Sequence, residues 1–144
     1  MLNTKDACLK NEISVMAAYE RKVKNGMNGT KDTILGQTVT VVMDRPMGTY
    51  HPKHKDMYYP VNYGYVPGIL AADGEEQDAY VLGVDMPLAE FTGIVLAIIH
   101  RFDDVEEKWV VVPEGVRLSK EKIAEQVKFQ EQYFRTEIRM KEGL

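Results

Sequence analysis

Residues Tyr58–Gly83, YYPVNYGYVPGILAADGEEQDAYVLG, decide how the rest of the chain is read. Pro60 and Pro67 each remove a backbone donor and push the preceding residue toward extended geometry, so the first half of this stretch cannot be helical. The second half is a turn that runs into a strand. Gly74 supplies the backbone freedom of an Asp-Gly turn, and Tyr80-Val81-Leu82 has the aromatic and β-branched content of a buried strand. Asp73, Glu75, Glu76 and Asp78 thereby gather at one strand mouth. So much negative charge in a small volume needs a neutralising partner, and oxygen-only ligands of this kind suit a hard cation such as Mg²⁺. Tyr58, Tyr59, Tyr63 and Tyr65 crowd the approach, each with a hydroxyl able to donate to a phosphate oxygen.

The 144 residues suit one domain with a full core, and 44% hydrophobic with 28% charged residues is ordinary globular composition. A formal net charge of −4 argues against a nucleic-acid partner, which needs a basic face to neutralise phosphates. Cys8 is the only cysteine, so neither an intrachain disulfide nor a zinc cluster is expected, which fits a reducing compartment. No apolar run reaches transmembrane length, and the N-terminus lacks the apolar core of a signal peptide. The expectation is a cytoplasmic enzyme with no membrane partner.

Residues 1–36 read as a polar N-terminal extension with one short amphipathic helix around Ile13, Met16, Ala17 and Tyr19, ending near Asn25-Gly26. Residues 37–144 form the main domain. Thr38 to Met43 is a strand that delivers Asp44-Arg45-Pro46 at its end, and Thr49 to Asp56 is a basic loop with His51, Lys53, His54 and Lys55. Gly93 to His100 is a strand buried on both faces, and a charged turn leads from it to the strand Trp109 to Val112, stopped by Pro113. His100, at the end of a buried strand, is given no role. Ser119 is a good N-cap, and Ile123, Val127, Phe134 and Ile138 recur at helical spacing, so a helix is expected from Lys120 to about Met140. Short strands followed by one terminal helix make a mainly β (α+β) fold, with a closed barrel as its simplest form.

The segment Tyr59-Pro-Val-Asn-Tyr-Gly-Tyr65, followed by Asp73-Gly-Glu-Glu-Gln-Asp78 and a buried strand, resembles the signature of soluble family I inorganic pyrophosphatases, Y-P-x-N-Y-G-Y and then D-G-D-P-x-D-V. Two linked motifs in the right order are more specific than either alone. The resemblance runs with gaps from about Val39 to the last helix. It implies a five-stranded, OB-like closed barrel with a C-terminal helix packed on it, a site at one mouth, and assembly as a homo-oligomer. It also implies hydrolysis of pyrophosphate by metal-activated water. Asp73, Glu75 and Asp78 would hold Mg²⁺, with Mn²⁺ an alternative the residues do not separate, and Glu75, with Asp78, would serve catalysis as the base for the attacking water. Glu106-Glu107-Lys108 resembles the family's D-x-K, so Glu106 and Asp103 would recruit further metal, although the short turn leaves Asp103 and Asp104 both open. Arg45, Tyr63, Lys108 and Tyr133 would hold the substrate. The family's basic hairpin, with its K-Y-E and D-R, has no counterpart here, and Phe134 stands where its helix carries a lysine. The loop with His51, Lys53, His54 and Lys55 lies in the corresponding part of the chain. Two other functions fit the same residues: hydrolysis of another small phosphoanhydride or phosphoester, and a non-catalytic barrel that binds metal or anions.

Overall fold

A computed structural model describes residues 30–141. A 3₁₀ turn, Thr30–Ile34, leads into β1 (Thr38–Arg45), β2 (Asn62–Leu70), β3 (Glu76–Val81), β4 (Glu90–Arg101), β5 (Glu107–Val112), the helix α1 (Lys120–Glu131) and β6 (Thr136–Met140). Each of the first five strands is a β-branched or aromatic run bounded by glycine, proline or acids, which is why it is extended. Pro67 lies inside β2, at the irregularity between Val66 and Leu70, where a missing donor costs no ladder bond.

The strands pair in the order β1-β2-β3-β5-β4, and β4 returns to β1, closing a five-stranded barrel. All these pairs are antiparallel except β3 with β5, which is parallel. Closure gives each of the five strands a partner on both sides over at least part of its length. Val41, Val66, Val81, Ile98 and Trp109, one from each strand, meet in one buried cluster that fills the interior. A second cluster lies on the outer face of β2-β3-β5-β4, where Tyr63, Tyr80, Ile99 and Val110 pack against Ile123 and Val127 of α1. Ser119 caps this helix, its Oγ accepting from the Lys122 N–H at 3.1 Å.

Two boundaries differ from expectation. The last helix ends at Glu131, and Ile138 lies in a sixth strand rather than on a helical stripe. The reason is an edge: β4 runs for 12 residues, but β1 covers only Glu90 to Ile94 of it. Ala97 to Arg101 would otherwise present unpaired backbone groups, and β6 pairs with those same residues. The barrel also takes in residues ahead of Gln37. Leu35 is buried in the interior cluster, and Arg139 of β6 bonds Asp32 at 3.2 Å and Glu107 at 2.7 Å. His100 joins the same network through Glu107 at 3.0 Å, so it serves as a partnered strand-end group. The helix expected between Ile13 and Gly26 lies outside the described residues.

Candidate active site

The parallel pairing of β3 with β5 sets up the centre of the site. Ala79 is opposite Trp109 and Tyr80 opposite Val110, so Asp78 and Lys108 come side by side at the adjoining ends, both on the outer face. The Lys108 Nζ donates to Asp78 Oδ2 at 2.6 Å and reaches Glu106 Oε2, from the β4–β5 turn, at 2.8 Å. Lys108 is only 4% exposed. Burial pulls its pKa down, but Tyr63, Asp78 and Glu106 around it more than offset this, so the pKa is raised and the ammonium stays charged.

Asp73 joins from the β2–β3 turn. Its Oδ1 accepts the Glu75 N–H at 3.0 Å, while partial burial and the neighbouring charges of Glu106 and Asp78 raise its pKa. Asp73 thus lies in the field of the Glu106 and Asp78 carboxylates, a placement that favours a proton or cation beside them. Asp44, at the end of β1, lies in the same field: burial and the Asp78 charge raise its pKa against the opposing pull of Arg45 and Lys108. Asp78 of β3 and Glu106 of the β4–β5 turn, far apart in sequence, therefore converge on one lysine.

Aromatic rings and arginines make the other wall. Tyr63 is buried, with Lys108 Nζ 5.7 Å from its ring centroid, and its hydroxyl is held neutral by burial, which pushes its pKa well up. The Arg45 guanidinium lies 5.6 Å from the Tyr59 centroid and 6.0 Å from that of Tyr63, and its Nε is buried without a hydrogen-bond partner. Arg101, at the end of β4, forks onto Glu131 at 2.9 and 2.8 Å and gives its remaining nitrogen to Glu106 at 3.1 Å. Tyr80 donates to Glu131 at 2.6 Å, Gln130 donates to Tyr80 at 2.6 Å, and Tyr59 donates to Gln130 at 2.8 Å. A continuous chain of hydrogen bonds thus ties the end of α1 to the acids.

Arg101, Gln130 and Glu131 were missed in reading the sequence. The signal was there for Glu131, which falls at i+4 and i+8 from Val127 and Ile123 on the buried stripe of α1; a charge on an apolar stripe asks for a buried partner.

Beside this chain opens a cleft of ≈ 350 Å³ lined by Lys108, Arg101, Tyr63, Tyr133, His51 and His54 with apolar neighbours, and no carboxylate lines it among the described residues. Tyr133 reaches it from just beyond α1 and is 68% exposed. Two expected residues take other places. Asp103 turns to the β6 side, where its Oδ1 accepts the Arg135 N–H at 3.1 Å, and Asp104 caps Val105. Glu75 stands half-buried one residue ahead of β3, its N–H tied to Asp73.

The donor set is oxygen-only. No group of three or more histidine, cysteine, aspartate or glutamate side chains that could hold one ion stands together among the described residues. Mg²⁺ asks for less, since it binds through one or two carboxylates and keeps several waters, and the neighbouring acids Asp73, Asp78 and Glu106 offer ligands of that kind.

Among curated proteins none matches this chain. Among solved structures, it is similar to the inorganic pyrophosphatase of Ehrlichia chaffeensis, at 18% identity and a TM-score of 0.57, over 74% of this chain and 87% of that one. The inorganic pyrophosphatase of Coxiella burnetii aligns at 19% identity and a TM-score of 0.53, covering 74% and 86%. That of Helicobacter pylori aligns at 20% and 0.52, covering 72% and 82%. At such identities the likeness is one of fold. The family model described as inorganic pyrophosphatase matches residues 20–140, most of the chain, and the chain therefore belongs to the inorganic pyrophosphatase family.

Proposed function

We propose that the protein hydrolyses inorganic pyrophosphate to two orthophosphates, using Mg²⁺ (or Mn²⁺) bound through one or two at a time of the carboxylates Asp73, Glu75, Asp78 and Glu106, with waters completing its shell. One observation carries the reading: Asp78 of β3 and Glu106 of the β4–β5 turn meet at Lys108, with Asp73 of the β2–β3 turn in the same field, next to a cleft lined by Lys108, Arg101, two histidines and aromatic rings. The acids suit a cation and the cleft suits a phosphoryl group. Cytoplasmic location and a homo-oligomeric state belong to the same proposal; no helix among the described residues is long and apolar enough to cross a membrane.

In the reaction, the oxygen of a water bonds to one phosphorus while the bridging P–O bond breaks, its electron pair passing to the leaving orthophosphate. Bound Mg²⁺ would screen the phosphate oxygens and acidify the attacking water. Glu75 accepts that water's proton. Lys108, kept cationic and aimed by Asp78 and Glu106, donates to the leaving oxygen, and the neutral Tyr63 hydroxyl donates beside it. Arg101 steadies Glu106, and Glu131 steadies Arg101. Arg45 and Tyr133 complete the set of donors.

The test is phosphate release from pyrophosphate with Mg²⁺, with a chelator in its place, and for Asp78→Asn. Release that needs Mg²⁺ and falls about 10²-fold or more in the variant supports the reading. Release from other phosphate compounds but not from pyrophosphate would move the function to a related hydrolase. No release from any would leave an anion- or metal-binding barrel.

A further inference from the structure

The loop between β1 and β2 is tied down as firmly as a strand pair. Gly48 N–H bonds Tyr59 O, Tyr59 N–H bonds Thr49 O, and His51 N–H bonds Met57 O, while Tyr50 bridges Tyr58. At its tip the His51 Nδ1 accepts two backbone N–H groups, from Lys53 at 3.0 Å and His54 at 3.2 Å. A nitrogen that accepts twice carries no proton, so the neutral ring holds its hydrogen on Nε2. The ring lies against His54, with centroids 4.7 Å apart, and stacks on Tyr59 at 6.5 Å. Both histidines line the carboxylate-free cleft with Lys108 and Arg101. Burial and the nearby Arg45, His54 and Lys53 push the His51 pKa down, which favours the neutral ring.

We propose that His51, through its Nε2–H, with His54 beside it, is a phosphoryl-binding element: the loop holds one end of a phosphate or diphosphate in the cleft, facing Lys108 and Arg101. The chemistry is that of an N–H donor to an anionic oxygen, in a cleft that Lys108 and Arg101 also line although both are ion-paired to Asp78, Glu106 and Glu131. His51 and His54 act here as binding residues for the outer phosphoryl group. This rests on the function proposed above for its choice of diphosphate, but the binding itself can be read without turnover.

The experiment uses the full chain and two probes, inorganic phosphate and imidodiphosphate, titrated by calorimetry with and without Mg²⁺. His51→Asn is the informative variant, because the asparagine Oδ1 can still accept the loop N–H groups as an Asx turn while no donor remains at the Nε2 position. Affinity for both probes is expected to fall about tenfold or more, the size of one hydrogen bond to a charged acceptor, and further when His54→Ala is added. In the wild-type chain, side-chain ¹⁵N spectra should show the His51 Nε2 resonance moving on phosphate addition; this reading does not depend on whether the variant folds. Unchanged affinity in His51→Asn, or a stationary Nε2 resonance at saturating phosphate, overturns the inference even if pyrophosphate is hydrolysed. Histidine-dependent binding in a protein that hydrolyses nothing would sink the proposed function and leave this inference standing.

Discussion

Replacing Glu131 by glutamine tests whether the helix-to-site chain is held by charge. Glu131 is 5% exposed, and both of its oxygens accept from Arg101, while Oε2 also accepts from Tyr80. The Tyr80 hydroxyl is itself taken as an acceptor by Gln130, so its proton has to go to Glu131. A glutamine in either orientation sets an NH₂ group against an Arg101 N–H, leaving at least one buried donor unsatisfied, at a cost of about 1–3 kcal/mol. It also strips a guanidinium with a side chain only 6% exposed of its main counter-charge; breaking a buried pair from one side costs about 3–5 kcal/mol. Glu106, 27% exposed, still reaches Arg101 and takes up part of the loss, so the expected destabilisation of Glu131→Gln is about 3 kcal/mol rather than the sum. Urea unfolding with an unchanged m-value measures it directly. The double variant Glu131→Leu with Arg101→Met should recover part of the loss, because it leaves no uncompensated buried charge, the Tyr80 hydroxyl losing its acceptor being what remains. A single variant within 1 kcal/mol of wild type, or a double variant less stable than Glu131→Gln, would refute the argument.

Lys108→Met leaves Asp78 without its cation and Glu106 with Arg101 alone; because these acids are 36% and 27% exposed, the stability loss should be about 2 kcal/mol, below the fully buried figure, and pyrophosphate hydrolysis should drop about 10²-fold at saturating Mg²⁺. Wild-type turnover in that variant would remove Lys108 from the site. A Cβ on Gly64 would come within 2.0 Å of the Val42 carbonyl oxygen and 2.7 Å of the Met43 Cα, both backbone, so Gly64→Ala must prise β1 off β2 and should cost about 3 kcal/mol or more by denaturant unfolding. Ser119→Ala removes the cap bond to Lys122 and should lower stability by about 1 kcal/mol without changing catalysis; an unmoved unfolding midpoint would mean the cap contributes nothing.

Local chemistry was enough to read much of the fold. β-branched runs bounded by Gly74 and Pro113 marked β1, β3, β4 and β5, Pro60 and Pro67 marked the β2 segment only as non-helical, and Ser119 marked where the helix begins, because these preferences act within a few residues of themselves. The donor types of the candidate site, carboxylates followed by a lysine beside tyrosines, were equally visible along the chain. Tertiary structure alone decided what those residues meet. Phe134 and Ile138 kept helical spacing, yet Phe134 lies in the turn after α1 and Ile138 in β6, since the unpaired edge of β4 needs a partner and no local signal records that need. Of the acids in the β4–β5 turn, Glu106 faces Lys108 and Asp103 faces Arg135, a choice made by the direction in which the turn leaves the barrel. Asp78 reaches Lys108 across 30 residues, and Arg101 reaches Glu131 across another 30, only because strand register and helix packing bring them together. Residue type is carried by the chain and sets the chemistry on offer; proximity is a property of the closed barrel, and it selects which of those groups act on one another.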